Sequence, residues 1–158
     1  MWQRIQTVFL VLVIVSMVVG IFFPIWVGME DNVTYRLYPL HFSSYQETES
    51  GRVSVASYFP YSITAILMIA AATIAFMEVR RFDNRILQVK LGTLNSLVLM
   101  GVMISAVVLA NKMSDAHPLN WTYGMGLYIP FAGVTFNWLA VRFIRRDEKL
   151  VRDSDRIR

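Results

Sequence analysis

The chain has 158 residues, of which 56% are hydrophobic and 16% charged, with a formal net charge of +4. Soluble domains run about 45–50% apolar and about 25% charged, so an ordinary water-soluble domain is a poor fit. The sequence contains no cysteine, which excludes disulfides, thiolate metal sites and thiol nucleophiles.

Four runs lack Asp, Glu, Lys and Arg, and each is long enough to cross a bilayer, which takes about 20 mainly apolar residues. They predict spans over 5–28, 58–77, 91–111 and 119–141. The first run exceeds the apolar core of a secretory signal, about 7–15 residues. Bulky Phe22, Phe23 and Trp26 stand where a cleavage site would need small residues. It therefore reads as a true span. Pro24 and Pro130 mark bends in the first and fourth spans.

Between the first two spans lies an outer loop over 30–52. Its start, NVTYRLY, and its end, RVSVASY, alternate β-branched or aromatic residues with others. That period of two predicts a small antiparallel ribbon. The polar SSYQETESG would connect its two strands, and Pro39 would end the first.

The third span carries Asn95, Ser96 and Ser105, and the fourth carries Asn137. Uncharged polar groups at membrane depth most commonly hydrogen-bond between helices. Gly92 and Ser96, and likewise Gly101 and Ser105, are four apart, a spacing that lets helix backbones approach. Charged residues are absent from all four predicted spans, which argues against proton relays and ion-coupled carriers.

After the fourth span the chain ends in FIRRDEKLVRDSDRIR. Read as a helix, 142–158 places Phe143, Leu150 and Ile157 at seven-residue intervals, with Ile144 and Val151 beside them. Acids interleave with the bases and no aromatic follows Phe143, so nucleic acid is excluded as the partner. Arg142, Arg145, Arg146 and Lys149 suit a lipid head-group surface. Leu150, Val151 and Ile157 extend a docking stripe, toward the inner segment 78–90 or toward a partner.

With the N-terminus inside, twelve Lys and Arg fall in the inner segments and three in the outer ones. The positive-inside rule therefore places both termini in the cytoplasm. The expected fold class is an all-α membrane protein. It is a four-transmembrane-helix bundle, one domain over 1–158, with a small β-ribbon in the first extracytoplasmic loop and a cytoplasmic helical extension.

Motifs for chemistry are missing: the sequence holds no HExxH, no Walker sequence, no nucleophile elbow and no GxGxxG. His41 and His117 are both assigned outside; with Glu30, Asp31 and Asp115 they match no metal-ligand spacing. Catalytic, cofactor-binding and metal-binding residues are accordingly not expected.

The opening MWQRIQTVFL, the stretch NRILQVKLGTLN, the ending FNWLAVRFIRRDEKLVRDSDRIR and the four-span layout resemble one family over essentially the full length. It comprises the integral membrane proteins of Bacteroidota catalogued as domain of unknown function 4293. The resemblance implies a bacterial inner-membrane setting and four spans. It carries no activity and no catalytic residues. The expected function is a non-catalytic subunit or assembly factor of a larger membrane complex, with the lipid bilayer and another membrane protein as partners. The alternative is a binder or passive conduit for a lipid or small apolar ligand, its pocket under the outer ribbon.

Overall fold

A computed structural model describes residues 2–30, 33–48, 51–81, 84–117 and 120–155. Its helices are α1 (Trp2–Gly20), α2 (Ile63–Arg80), α3 (Arg85–Ala116) and α4 (Met125–Asp155). Its strands are β1 (Trp26–Glu30), β2 (Val33–Leu37), β3 (Phe42–Thr48), β4 (Gly51–Ser57) and β5 (Trp121–Tyr123). Helices α2, α3 and α4 each contain a stretch long and apolar enough to cross a membrane, and α1 contributes the shorter apolar helix Ile5–Gly20. This is a multi-pass membrane architecture.

The helices turn apolar stripes outward as well as inward. On α3, Leu94, Leu97, Met100, Ile104 and Val108 recur at helical spacing and are all exposed. Exposed apolar surface on this scale marks a face that meets lipid or protein rather than water. The inward stripes are small or flexible: Val13 and Met17 of α1, Met68, Ala71 and Ala75 of α2, and Leu99 and Val102 of α3 form one buried cluster. Helix α1 runs antiparallel to α4, with Gln6 meeting Asp147 at one end and Gly20 facing Ile129 at the other. Asn84 caps α3, its side-chain oxygen accepting from the Leu87 N–H at 3.0 Å. Helix α4 continues past the apolar region to Asp155, a rod of about 46 Å at 1.5 Å per residue.

Helix boundaries differ from the sequence reading; the third helix, for one, runs over Arg85–Ala116 rather than 91–111. The first helix stops at Gly20, not Gly28. Turn bonds from Phe22 N–H to Val19 and from Phe23 N–H to Gly20 precede Pro24, a residue that disfavours helix just before it. The residues Trp26–Glu30 that follow form strand β1, a distinction that apolarity alone does not make. The second helix starts at Ile63, after a turn over 58–62, and ends at Arg80. The fourth starts at Met125, since Trp121–Tyr123 is strand; Leu119, the expected start, lies outside the described residues.

The β element is larger than the expected ribbon. It is a five-stranded antiparallel sheet in the order β4-β3-β2-β1-β5. The expected pairing of 33–37 with 53–57 does not occur. The polar SSYQET, expected as a loop, lies within β3, which pairs with β2 on one side and β4 on the other. Of these residues Ser43 is buried and donates to the Arg36 carbonyl at 3.4 Å, and Gln46 is exposed. Pro39 does lie where β2 has ended, and the Tyr38 N–H closes the turn onto the His41 carbonyl.

Sheet and helices share a second core: Ile25, Trp26 and Leu37 pack with Ala106, Leu109, Ala110 and Met113 of α3 and Leu127 of α4. Trp26 is fully buried in this core, and its indole N–H donates to Ser114 Oγ at 3.0 Å.

Candidate functional site

The half of the bundle away from the sheet holds a polar cluster on α2, α3 and α4. Gly92, Asn95 and Ser96 lie three and four apart, so α3 turns them to one side. Asn137 of α4 faces them. Its amide donates to the Gly92 carbonyl at 3.1 Å and to Ser96 Oγ at 2.9 Å. The Asn95 amide donates to Asn137 Oδ1 at 3.2 Å. Ser96 in turn donates to the Gly92 carbonyl at 2.9 Å. Asn95 and Asn137 are both buried. Ser105 lies nearer the other end of α3, where it accepts from Thr64 of α2 at 3.1 Å. Interhelical polar pairs of this kind are worth about 0.6 kcal/mol on average and up to about 1.7.

The sequence reading missed the acid in this cluster. Glu78 was assigned to an inner connecting segment, but α2 extends to Arg80 and buries it completely. It continues the buried stripe of Met68, Ala71 and Ala75 at spacings of three and four, and this register was the available signal. Neither carboxyl oxygen has a hydrogen-bond partner, and Asn95 Oδ1 also lacks one. Close approach of α3 is possible because residue 92 is glycine: a Cβ there would stand 2.9 Å from Glu78 Oε1. Gln88, also buried, donates to the Glu78 backbone carbonyl at 3.0 Å.

Beside this cluster, on the surface, a groove of about 380 Å³ opens between α3 and α4. Thr93 and Ser96 line one wall; Trp138, Val141, Arg142 and Arg145 line the other. The four α4 residues share a face at the helical spacings of three and four. Arg145 donates to Thr93 Oγ1 at 3.4 Å, and the Arg142 guanidinium lies 5.3 Å from the Trp138 ring centroid.

The tail residues separate into three groups. Arg142 and Arg145 line the groove. Phe143 and Ile144 pack inward, with Phe143 stacked on Phe9 of α1 at 5.7 Å. The Gln6 amide donates to Asp147 at 2.8 Å. These anchors run to α1. Arg146, Lys149 and Leu150 are exposed. The Val151 side chain and Ile157 lie outside the described residues, so the outer part of the stripe does too.

At the opposite end, His117 caps α3 and bridges to the sheet. Its Nδ1 is 3.3 Å from Glu30 Oε2, and its ring stacks on Tyr35 at 4.1 Å. His41 stands apart, stacked on Tyr38 at 5.0 Å. Among the described residues no three His, Asp or Glu converge as metal ligands; Asp31 lies outside them. The hydroxyls of Ser96 and Ser105 donate to backbone carbonyls. The cluster thus locks helices together and backs a basic groove.

Fold and site together define a multi-pass helical membrane protein with a sheet packed on one end of its bundle and a basic groove at the other. The family model for DUF4293, a domain of unknown function, matches residues 2–157. The chain belongs to that family. A comparison with curated proteins finds no match.

Proposed function

We propose that the protein is a non-catalytic subunit or assembly factor of a larger complex in the bacterial inner membrane. It is one domain over 1–158 that spans four times, with both termini cytoplasmic. Several observations support the topology. Helix α1 lies along α4, and exposed Phe22 and Phe23 lengthen its apolar reach beyond Gly20. The excess of Lys and Arg at the α4 exit and in 78–90 favours an inside position for those segments. Reporter fusions after Glu49 and Asp83 test it: an outside signal at the first and an inside signal at the second are expected, and the reverse overturns the orientation.

The subunit reading is carried by β4. It is an edge strand of seven residues, paired among the described residues with β3 alone. Residues 53–57 are exposed throughout, Val53 at 57% and Val55 at 63%. An open edge with apolar side chains is a template for strand addition by another chain. The partner expected there is a membrane protein presenting an extended segment outside the bilayer. Purification in mild detergent, with a photo-crosslinker at Val55, tests the reading. A stoichiometric cross-linked partner that is lost on Val53→Lys supports it. Recovery of the uncross-linked chain alone sinks it.

The second reading, a lipid binder, draws on the groove at the inner end of α3 and α4.

A further inference from the structure

We propose that the groove between α3 and α4 binds the phosphate of an anionic membrane lipid. The inference rests on the membrane reading of α3 and α4 and is independent of the subunit reading.

The groove has two chemical zones arranged along α4. Trp138 and Val141 form the apolar zone, and Trp138 is 56% exposed. An exposed indole one turn before a cationic run sits at the level where aromatic rings favour the membrane interface. Arg142 and Arg145 follow, about 6 Å further along the axis from Trp138 and Val141 respectively, at 1.5 Å per residue. That displacement takes the guanidiniums from the acyl–glycerol level to the head-group level. A ligand apolar at one end and anionic at the other fits this order.

The donors are available. An arginine carries five N–H groups in a planar fork suited to phosphate. Among the described residues, neither Arg142 nor Arg145 has a carboxylate within ion-pair distance. The Thr93 hydroxyl donates to the Val89 carbonyl at 2.8 Å and accepts from Arg145, which draws that guanidinium across the groove toward α3. Trp138 holds the other guanidinium over its ring. Two oriented forks, three residues apart on one helix, therefore border a single space. Its volume of about 380 Å³ lies in the range of about 300–1,000 Å³ typical of small-molecule sites. Arg146 and Lys149 do not line it, so the site uses part of the basic tail rather than its summed charge.

A second basic groove provides an internal control. It is lined by Phe76, Met77, Arg80, Arg81 and Asn84. It also carries two arginines, but they are consecutive in sequence, and among the described residues no tryptophan lines it.

The test uses the full chain reconstituted in phosphatidylcholine vesicles with a minor fraction of phosphatidylglycerol, then extracted in mild detergent for native mass spectrometry. One retained phosphatidylglycerol per protein is expected. Arg142→Gln with Arg145→Gln should weaken retention by roughly tenfold or more, since each basic residue near an anionic surface contributes about a fivefold effect. Arg142→Lys with Arg145→Lys, which preserves charge and topology, should weaken it by about threefold or more because the forks are lost. Arg80→Gln with Arg81→Gln should retain lipid like the parent. Equal retention by the Lys pair overturns the proposal, and so does an equal loss in the Arg80/Arg81 pair, which would reduce the effect to diffuse charge. Displacement of the lipid by millimolar inorganic phosphate also overturns it, in favour of a soluble anion. Should the Gln pair fail to insert, the Lys pair decides the matter alone.

Discussion

Asn95 of α3 and Asn137 of α4 join their side chains at 3.2 Å in the buried interior of the bundle. The two residues do unequal work. Asn137 also reaches the Gly92 carbonyl and Ser96 Oγ, so it spans a full turn of α3. Asn95 leaves its own oxygen without a partner. The pair fixes the rotation of α4 against α3, and with it the position of Arg142 and Arg145 one to two turns further along.

Asn137→Ala is accordingly expected to destabilise the bundle by about 1–2 kcal/mol, near the upper end of measured interhelical hydrogen bonds. Asn95→Ala should cost less. The double variant should cost less than the sum, with a coupling of at least about 0.5 kcal/mol. Unfolding in mixed micelles by titration with a denaturing detergent measures all three. Strict additivity would show that the two amides act independently.

Glu78 carries the opposite expectation. It is wholly buried and both carboxyl oxygens lack partners. An unsatisfied buried polar group costs about 1–3 kcal/mol, and an apolar replacement of similar shape removes that cost. Glu78→Met should therefore raise stability by about 1 kcal/mol or more, while the bond from Gln88 to the Glu78 backbone survives. A destabilised Met variant would show that the carboxyl holds a partner inside the bundle.

Trp26 is the joint between sheet and bundle. It lies in β1 yet is buried against α3, with its indole N–H on Ser114. Trp26→Phe should cost about 1 kcal/mol for the lost hydrogen bond. Trp26→Ala should cost about 3–5 kcal/mol, felt first by the sheet. Hydrogen exchange reads this directly: the β1 and β2 amides should lose protection while the amides of α3 retain theirs.

How far the sequence reveals this architecture depends on the physical signal each part leaves. Length and apolarity reveal helices α2, α3 and α4 because the bilayer demands both. The same signal overextends the first helix, since Trp26 and Val27 are as apolar in a strand as in a span. Strand β3 stays hidden because SSYQET carries none of the apolar alternation that a one-sided core imposes. Asn95, Ser96 and Asn137 stand out as polar residues in apolar runs. Glu78 does not, because an acid next to Arg80 and Arg81 looks like the start of a loop. The groove joins residues about 45 apart in sequence, Thr93 with Trp138, and no local pattern records that pairing.

Gly92 and Gly101 look alike in sequence, each followed four residues later by serine, yet opposite outcomes are expected on substitution. A Cβ at Gly101 would meet only Leu67 Cδ1, at an ordinary 3.6 Å. Gly101→Ala should therefore be neutral or stabilising, because alanine is favoured over glycine in a helix by about 1 kcal/mol. A Cβ at Gly92 would stand 2.5 Å from Val141 Cγ2 and 2.9 Å from Glu78 Oε1. Both neighbours are buried, and the Gly92 carbonyl is also the acceptor for Ser96 and Asn137. Any retreat of α4 strains that lock. Gly92→Ala should cost about 1–3 kcal/mol, the usual penalty for overpacking. Val141→Ala removes the nearer obstacle, so it should cost less in the Gly92→Ala background than in the parent. Thermal unfolding in a single detergent ranks the four proteins, and equal costs for Val141→Ala in both backgrounds would show that α3 and α4 do not meet at Gly92.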